Sequence, residues 1–237
     1  MWFALAGLLI AVLIGLCLVF QATARRLARP TTGSLIDIAA RPGRALLVID
    51  MQEDFTRAQG KHAFDTGARD DALSRVRDLV HAAHEEGAPV IFLRQQFREW
   101  PVRLVASLLL GGAGNPGRAG QRIDRALDTQ GAHVLVKHVG DGFSNRELER
   151  LLDEAGVGRL RLAGLDLAHC VAQTAHGARN RGYAVEIDEA GSLTADPRRW
   201  LRERAVLAAR EVRFAPCLER RMPHLGRNMS LESSGYR

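Results

Sequence analysis

From residue 44 onward, short apolar runs alternate along the chain with segments whose apolar residues have helical spacing. This alternation is typical of an α/β domain, in which right-handed crossovers place helices on both faces of a parallel sheet. We therefore predict one such domain. The predicted strands cover residues 45–49, 89–93, 133–136, 159–163, 184–187 and 212–215. The predicted helices lie near residues 70–86, 144–155, 169–180 and 197–210.

Several residues mark the ends of these helices. Ser144, followed three residues later by Glu147, forms the pattern of a capping box. Gly156 and Gly182 stand where helices are expected to stop, and Pro197 suits a first helical turn. Residues 100–112 hold more apolar side chains than an exposed loop should carry. We expect that segment to pack in the core or against a second copy of the chain.

The composition excludes several classes of protein. A chain of 237 residues can bury one good-sized core. Its three cysteines, Cys17, Cys170 and Cys217, cannot form a disulfide framework, and no Cys/His cluster has zinc spacing. The net charge is +6, but half of it falls in the first 41 residues, and only 5% of the residues are aromatic. We therefore expect neither a structural metal nor a nucleic-acid partner.

Residues 1–20 contain no charged side chain. At about 1.5 Å per residue, a helix of this length spans the ~30 Å hydrocarbon core of a bilayer. We predict a transmembrane anchor over residues 1–22, which would make the lipid bilayer a partner. A cleaved signal peptide is the alternative, because residues 22–24 read Ala-Thr-Ala before Arg25. Cleavage near Ala24 would give a secreted or periplasmic protein.

The charges beside this segment predict its orientation. Arg25, Arg26 and Arg29 follow it, whereas no side-chain charge precedes it. The positive-inside rule then places the following domain in the cytoplasm, on a single-pass protein of the inner or plasma membrane. The predicted organisation is an anchor (1–22), a linker (23–43), a domain (44–216) and a C-terminal tail (217–237).

Three polar residues stand at or just past the carboxyl ends of predicted strands, where open α/β sheets bind ligands. They are Asp50, Lys137 and Cys170. A helix N-terminus and a nearby ammonium would stabilise a thiolate, and a carboxylate could accept its proton. Each residue also has a plainer interpretation: Asp50 as a loop cap, Lys137 as a surface charge, and Cys170 as an inert core residue.

Longer stretches around these residues resemble the isochorismatase-like cysteine hydrolases. Residues 45–55, Ala-Leu-Leu-Val-Ile-Asp-Met-Gln-Glu-Asp-Phe, are similar to the family's opening strand and loop. Residues 134–137 with Gly142-Phe143-Ser144 resemble its lysine strand. Residues 162–175 resemble its nucleophile segment, and residues 181–185 the strand after it. The resemblance covers roughly residues 44–215.

The resemblance implies a six-stranded parallel sheet and an Asp50-Lys137-Cys170 triad. It implies that Cys170 attacks a carbonyl to form a thioester, that Asp50 carries the proton, and that Lys137 holds charge in place. It also implies a non-proline cis peptide, here at Leu165-Asp166, which shapes an oxyanion hole with Cys170. Asp166 departs from the small residue often found at that position.

The residues after the second predicted strand indicate whether a metal site is present and which side chains contact the substrate. Nicotinamidase-like members carry an Asp and several His there as a metal site, but residues 94–100 contain neither. His81 and His84 are expected to be surface residues, so no metal or other cofactor is predicted. Phe97, Arg98 and Trp100 are candidate substrate contacts, with a surface arginine and a core tryptophan as the alternative. His169 either lines the pocket or caps the helix.

Two hypotheses about function follow. The first is a membrane-tethered cysteine hydrolase that cleaves a C–N bond of a small amide or carbamoyl compound. The second is a catalytically idle binding or scaffolding domain at the membrane. Either protein could also form a homo-oligomer.

Overall fold

The computed structural model of the protein describes residues 14–15, 17–22, 25, 29–60 and 63–215. The predicted tail over residues 217–237, with Cys217, and most of the predicted anchor over residues 1–22 lie outside these ranges. Residues 17–22 are helical, and the side chains of Leu18 and Val19 are exposed. Within the described ranges, no helix combines the length and the apolar character needed to cross a bilayer.

The core of the domain is a parallel sheet of six strands in the order β3-β2-β1-β4-β5-β6. All six predicted strands are confirmed, several of them longer than expected. Because the strand order reverses at β1, a cleft opens at the carboxyl ends of β1 and its neighbours. The strands are β1 (Gly43–Ile49), β2 (Val90–Gln95), β3 (His133–Lys137), β4 (Val157–Gly164), β5 (Ala184–Ser192) and β6 (Arg213–Ala215).

Helices cover both faces of this sheet. One face packs against α2, and the other packs against α4, α5 and α6. Cys170 belongs to a π-helical turn, Leu167–Val171, that leads directly into α5. The helices are α1 (Glu53–Thr56), α2 (Thr66–Glu85), α3 (Trp100–Leu109), α4 (Arg146–Glu154), α5 (Ala172–Arg179) and α6 (Pro197–Ala209).

The predicted capping box at Ser144 is wrong. Asn145 is the N-cap of α4, and its side chain accepts a hydrogen bond from the backbone N–H of Glu147 at 2.9 Å. Ser144 instead lies in the preceding 3-10 turn, where its hydroxyl donates to the carbonyl of Asp141 at 2.7 Å. The nearby carbonyl therefore competes for the hydroxyl that would have capped the helix.

The other three predicted boundaries are confirmed. Gly156 and Gly182 follow α4 and α5 with φ values of +57° and +86°, the left-handed conformation that glycine adopts without steric strain. Pro197 is the first residue of α6, where its missing N–H and fixed φ suit the first turn.

The apolar segment after β2 forms α3, and one side of this helix is exposed. Trp100, Leu104 and Leu108, each four residues apart, are 67%, 53% and 74% exposed. The predicted core packing of this segment, and of Trp100 in particular, is therefore wrong. Hydrophobicity by itself does not specify which apolar stripe the rest of the chain covers. Packing against a second copy stays a prediction.

Part of the predicted linker is bound to the domain. The backbone N–H and the hydroxyl of Thr31 both donate to Asp141 Oδ2 at 2.7 Å. Arg181 donates to the Thr31 carbonyl, and the N–H of Ile36 donates to the Arg181 carbonyl at 2.9 Å. Within the described residues, hydrogen bonds to the domain are thus already present at Thr31, well before β1.

Candidate active site

The three predicted catalytic residues meet at the strand-order reversal. Asp50 directly follows β1, Lys137 ends β3 on one side of it, and Cys170 follows β4 on the other. Lys137 Nζ lies 2.8 Å from Asp50 Oδ2. Asp50 is 3% exposed and Lys137 is fully buried, so they form a buried ion pair and neither is a surface charge.

The backbone at Asp50 directs its carboxylate into the cleft. Asp50 has a φ of +53°, a left-handed conformation that aspartate tolerates better than most residues. Its N–H donates to the Leu93 carbonyl of β2, and its own carbonyl accepts from the N–H of Gln52 at 2.7 Å. Local strain of this kind is common where a side chain must be held for chemistry.

The ammonium of Lys137 has a full set of acceptors. Besides Asp50, it donates to Gln95 Oε1 at 2.6 Å and to the Val139 carbonyl at 3.3 Å. Burial alone would lower the pKa of Lys137, but the Asp50 carboxylate and the neighbouring Cys170 outweigh it and raise that pKa above its ordinary value. Lys137 is therefore a fixed positive charge.

Sequence reasoning missed Gln95, the last residue of β2. Gln52 clamps its backbone: Gln52 Oε1 accepts from the Gln95 N–H at 2.6 Å, and Gln52 Nε2 donates to the Gln95 carbonyl at 3.2 Å. Lys137 must face the amide oxygen of Gln95, so the Nε2 group points elsewhere, and it is buried without an acceptor among the described residues. The sequence signal was weaker than at Asp50, because the apolar run ends at Leu93 and Arg94 precedes Gln95.

Cys170 completes the site. Its side chain lies within hydrogen-bonding reach of Asp50 and of Lys137. Burial has the largest effect on the thiol, and the negative charge of Asp50 the next largest. Together they raise the pKa of the thiol to about 12, although the positive charge of Lys137 lowers it. In the site without substrate, this shift opposes the thiolate that the sequence predicts. Desolvation outweighs the ammonium, and Cys170 holds its proton at neutral pH.

Asp50 is suited to take that proton. Burial raises its pKa, against the opposing effect of Lys137, and makes it a stronger base than an exposed aspartate. One carboxylate oxygen is held by Lys137. The other, Oδ1, is buried and has no conventional hydrogen-bond donor among the described residues. Oδ1 is therefore the carboxylate oxygen left to face the Cys170 thiol and a substrate in the cleft.

The predicted cis peptide is wrong. Leu165-Asp166 is trans, as is every peptide bond in the described ranges. The N–H of Leu165 donates to the Ile49 carbonyl at 2.8 Å. The N–H of Leu165 is therefore not available to an oxyanion, whereas the Cys170 N–H has no acceptor outside its own turn among the described residues.

Asp166 holds the loop after β4 together. Its carboxylate accepts from the Ala168 N–H at 2.7 Å, from the Thr194 hydroxyl at 2.9 Å and from the Ala195 N–H at 2.7 Å. It thus caps the turn that carries Cys170 and ties that turn to the segment after β5. Its role in the structure is to position the backbone.

The predicted substrate contacts differ in their placement. Phe97 is half-buried, with its ring close against Gly114, and its N–H donates to the Gly114 carbonyl at 2.8 Å. Arg98 and Trp100 are exposed. His169 is half-buried beside Cys170, and burial lowers its pKa. Phe97 and His169 therefore stay candidates, whereas no contact ties Arg98 or Trp100 to the triad.

The residues beside the triad do not suit a metal ion. Gln95 directs its amide oxygen to Lys137, and the group it leaves unpaired is an NH₂ donor, which cannot bind a cation. His81 and His84 lie exposed on α2. Among the described residues, no three His, Cys, Asp or Glu side chains gather closely enough to hold a metal.

The chain is similar in sequence to two known hydrolases. A streptothricin hydrolase of Streptomyces noursei is 32% identical over 154 residues, which cover 65% of this chain and 50% of that protein. A second streptothricin hydrolase of the same species is 31% identical over 67% of this chain and 57% of its own length. The chain thus spans about half the length of these curated relatives.

Solved structures show the same fold. A pyrazinamidase of Pyrococcus horikoshii, determined in complex with zinc, is 22% identical with a TM-score of 0.61, over 74% of this chain and 100% of that one. N-carbamoylsarcosine amidase from Thermoplasma acidophilum is 24% identical with a TM-score of 0.59, over 73% and 95%. The model of the isochorismatase domain matches residues 44–218. The sheet, the order of the motifs and this match show that the chain belongs to the isochorismatase-like hydrolase family.

Proposed function

We propose that the protein is a cysteine hydrolase that cleaves a C–N bond of a small amide or carbamoyl compound through a thioester on Cys170. One observation carries the proposal. A thiol, a buried carboxylate and a buried ammonium meet at one point of the cleft, beside a buried donor and a buried acceptor that have no conventional partner.

The two unpaired groups are complementary to an amide. Gln95 Nε2 is a donor and can bind a carbonyl oxygen, whereas Asp50 Oδ1 is an acceptor and can bind an amide N–H. Leaving such groups buried and unpaired costs about 1–3 kcal/mol each, and an amide or ureido substrate would recover that free energy. A substrate without an N–H would satisfy only the donor.

The first half of the reaction uses the thiol and the carboxylate. Cys170 Sγ attacks the carbonyl carbon as its proton passes to Asp50, so the protonated resting thiol needs no prior ionisation. The oxyanion that forms is stabilised by the Cys170 N–H and by the charge of Lys137. As the C–N bond breaks, the leaving nitrogen takes the proton from Asp50 and departs as an amine.

The second half regenerates the enzyme. Asp50, again ionised, removes a proton from a water molecule, and the hydroxide attacks the thioester carbonyl. The C–S bond breaks, the sulfur recovers its proton from Asp50, and the acid is released. Lys137 keeps its charge throughout, because its three acceptors hold the ammonium in place.

The relatives support the type of bond. Two of the named structural neighbours are amidases, and the curated relatives are streptothricin hydrolases. In this chain Phe97 offers an aromatic wall on the loop after β2, and His169 lies beside the nucleophile. These features suit a small compound with an apolar or planar group next to the scissile amide.

A substrate screen tests the proposal. The full chain is incubated with streptothricin, nicotinamide, pyrazinamide and N-carbamoyl amino acids, beside Cys170→Ala and a matched Cys17→Ala control. We expect at least one compound to be hydrolysed, Cys170→Ala to lose about 10³-fold or more, and the control to match wild type. Acid quenching should trap an acyl adduct whose mass maps to Cys170. Equal rates for wild type and Cys170→Ala on every compound would favour the idle scaffold.

The domain is further proposed to be tethered to the membrane and to face the cytoplasm. The support is in the sequence: residues 1–20 carry no charge, and Arg25, Arg26 and Arg29 follow them. A cytoplasm-active fluorescent protein fused to the C-terminus should be bright, and an alkaline phosphatase fusion should be inactive. Strong phosphatase activity, or a mature chain that begins at Arg25, would show export instead.

A further inference from the structure

A second cavity, of about 250 Å³, lies on the face of the sheet that α2 covers, at the amino ends of the strands. Asp50 lies six residues after Arg44, one of the lining residues, so at about 3.3 Å per residue the cavity is about 20 Å from the catalytic cleft. Its charged lining residues are Arg44, Arg159, Arg161, Arg213, Glu86 and Glu186.

The strand register brings the arginines together. Arg44 of β1 pairs with Arg159 of β4, and paired residues of parallel strands project from the same face. Two residues further along β4, Arg161 pairs with Glu186, which in turn pairs with Arg213 of β6. Four arginines from three strands therefore line one cavity, and all four are exposed, so the cavity is open to solvent.

These charges are not balanced within the cavity. Arg161 is paired with Glu186 at 2.6 Å, and Arg159 donates to the Pro42 carbonyl at 3.0 Å. Neither Arg44 nor Arg213 has a hydrogen-bond or ion-pair partner in the described part of the chain. Like charges at directly opposed positions of a sheet are destabilising, so this arrangement favours an anion that bridges them.

We infer that this cavity binds an anion of the phosphate type. The planar guanidinium fork matches the oxygens of a phosphate group, and several arginines around one point can neutralise its double charge. A volume of about 250 Å³ is below the range of most drug-sized ligand pockets, so it suits a phosphate group or a small headgroup.

The phosphate has two possible sources, a lipid headgroup and a free phosphate compound. The residues just before β1 lie at this edge of the sheet: the N–H of Gly43 donates to the Gly156 carbonyl at 3.1 Å, and Arg41 is paired with Asp153. The proposed anchor would hold the whole domain near a bilayer, but the chain contacts the domain earlier, at Thr31, through residues that do not line this cavity. The shared chemistry is the phosphate group, and the experiment distinguishes the two sources.

Calorimetric titration of the full chain in neutral detergent tests the site. The probes are inorganic phosphate and a short-chain phosphatidate kept below its micellar concentration. The test variant is Arg44→Gln/Arg213→Gln, which breaks no interaction within the described residues. The control is Arg77→Gln/Arg146→Gln, which removes the same charge from exposed positions on α2 and α4.

We expect saturable binding of one equivalent to wild type and to the control, and at least about tenfold weaker binding to the test variant. In phosphate-free buffer the test variant should melt no lower than the control. The reason is that the two arginines it lacks repel their neighbours in the wild-type protein. Equal affinity for the two probes assigns a free phosphate, and much tighter phosphatidate binding assigns a lipid headgroup. Absence of saturable binding, or an equal loss in the control, would overturn the inference.

Discussion

Replacing Lys137 by methionine tests the buried ion pair at the centre of the site. The substitution keeps the volume and the apolar stem but removes the charge that faces Asp50 at 2.8 Å. It also removes the donor to Gln95 Oε1 and to the Val139 carbonyl. The cleft then holds an aspartate with no cation beside it.

The expected loss of stability is large. Removing one partner of a buried pair costs about 3–5 kcal/mol, because the remaining charge stays desolvated. For a domain of this size, that loss lowers the melting temperature by on the order of 10 °C. The double variant Asp50→Asn/Lys137→Met removes both charges of the pair and leaves neither unpaired, so it should be more stable than the single variant by about 2 kcal/mol.

The same variant has a predicted pH dependence. Without Lys137, the pKa of Asp50 rises further above its unfolded value, because burial is no longer opposed. A carboxyl whose folded pKa is raised contributes stability that is present at low pH and lost as pH rises through the folded pKa. The deficit of Lys137→Met relative to wild type should therefore shrink as the medium is made acidic.

Urea unfolding of wild type, Lys137→Met and the double variant, at neutral and at mildly acidic pH, measures these quantities. Arg146→Met, at an exposed position, is the control for loss of a cation and should stay within about 0.5 kcal/mol of wild type. A cost below about 1 kcal/mol for Lys137→Met, with no change on acidification, would refute the buried ion pair.

Three further outcomes are expected. Gly164→Ala should abolish soluble expression, because a Cβ at φ +125° would meet the Ile49 carbonyl oxygen at 2.0 Å; a variant that melts like wild type contradicts this packing. The rate of Cys170 alkylation by iodoacetamide should rise with pH and reach no plateau until about pH 12. In the urea-unfolded chain, the alkylation rate should level off near pH 8.5. A plateau near neutral pH in the native protein would mean a stabilised thiolate. Asp141→Ala should cost about 1–3 kcal/mol and expose the segment at Thr31 to limited proteolysis, since its buried carboxylate holds that segment; unchanged cleavage would show that other contacts suffice.

The strands and the triad could be predicted because their signals are local. A strand buried on both faces reads as a continuous apolar run, as residues 45–49 do. A polar residue that interrupts such a run at its carboxyl end, such as Asp50 or Lys137, must lie at the ligand-binding edge of a parallel sheet. Glycine and proline marked the ends of three helices for the same reason: their conformational limits belong to the residue itself.

The remaining features depend on which of several partners a residue meets in the folded chain. Ser144 had two local partners, the first turn of α4 and the Asp141 carbonyl, and the residue pattern did not rank them. The exposure of Trp100 depended on which elements cover α3. The attachment of Thr31 rests on a contact 110 residues away. No local pattern reports such partners.

What the sequence determined by itself is the order of the strands along the chain and the residue types at their carboxyl ends. Only the tertiary structure decided the protonation of the site. The presence of Asp50, Lys137 and Cys170 suggested a thiolate, but the thiol pKa depends on how completely the fold excludes water from all three side chains. Desolvation is a property of the assembled cleft, and in this protein it keeps the proton on sulfur until a substrate arrives.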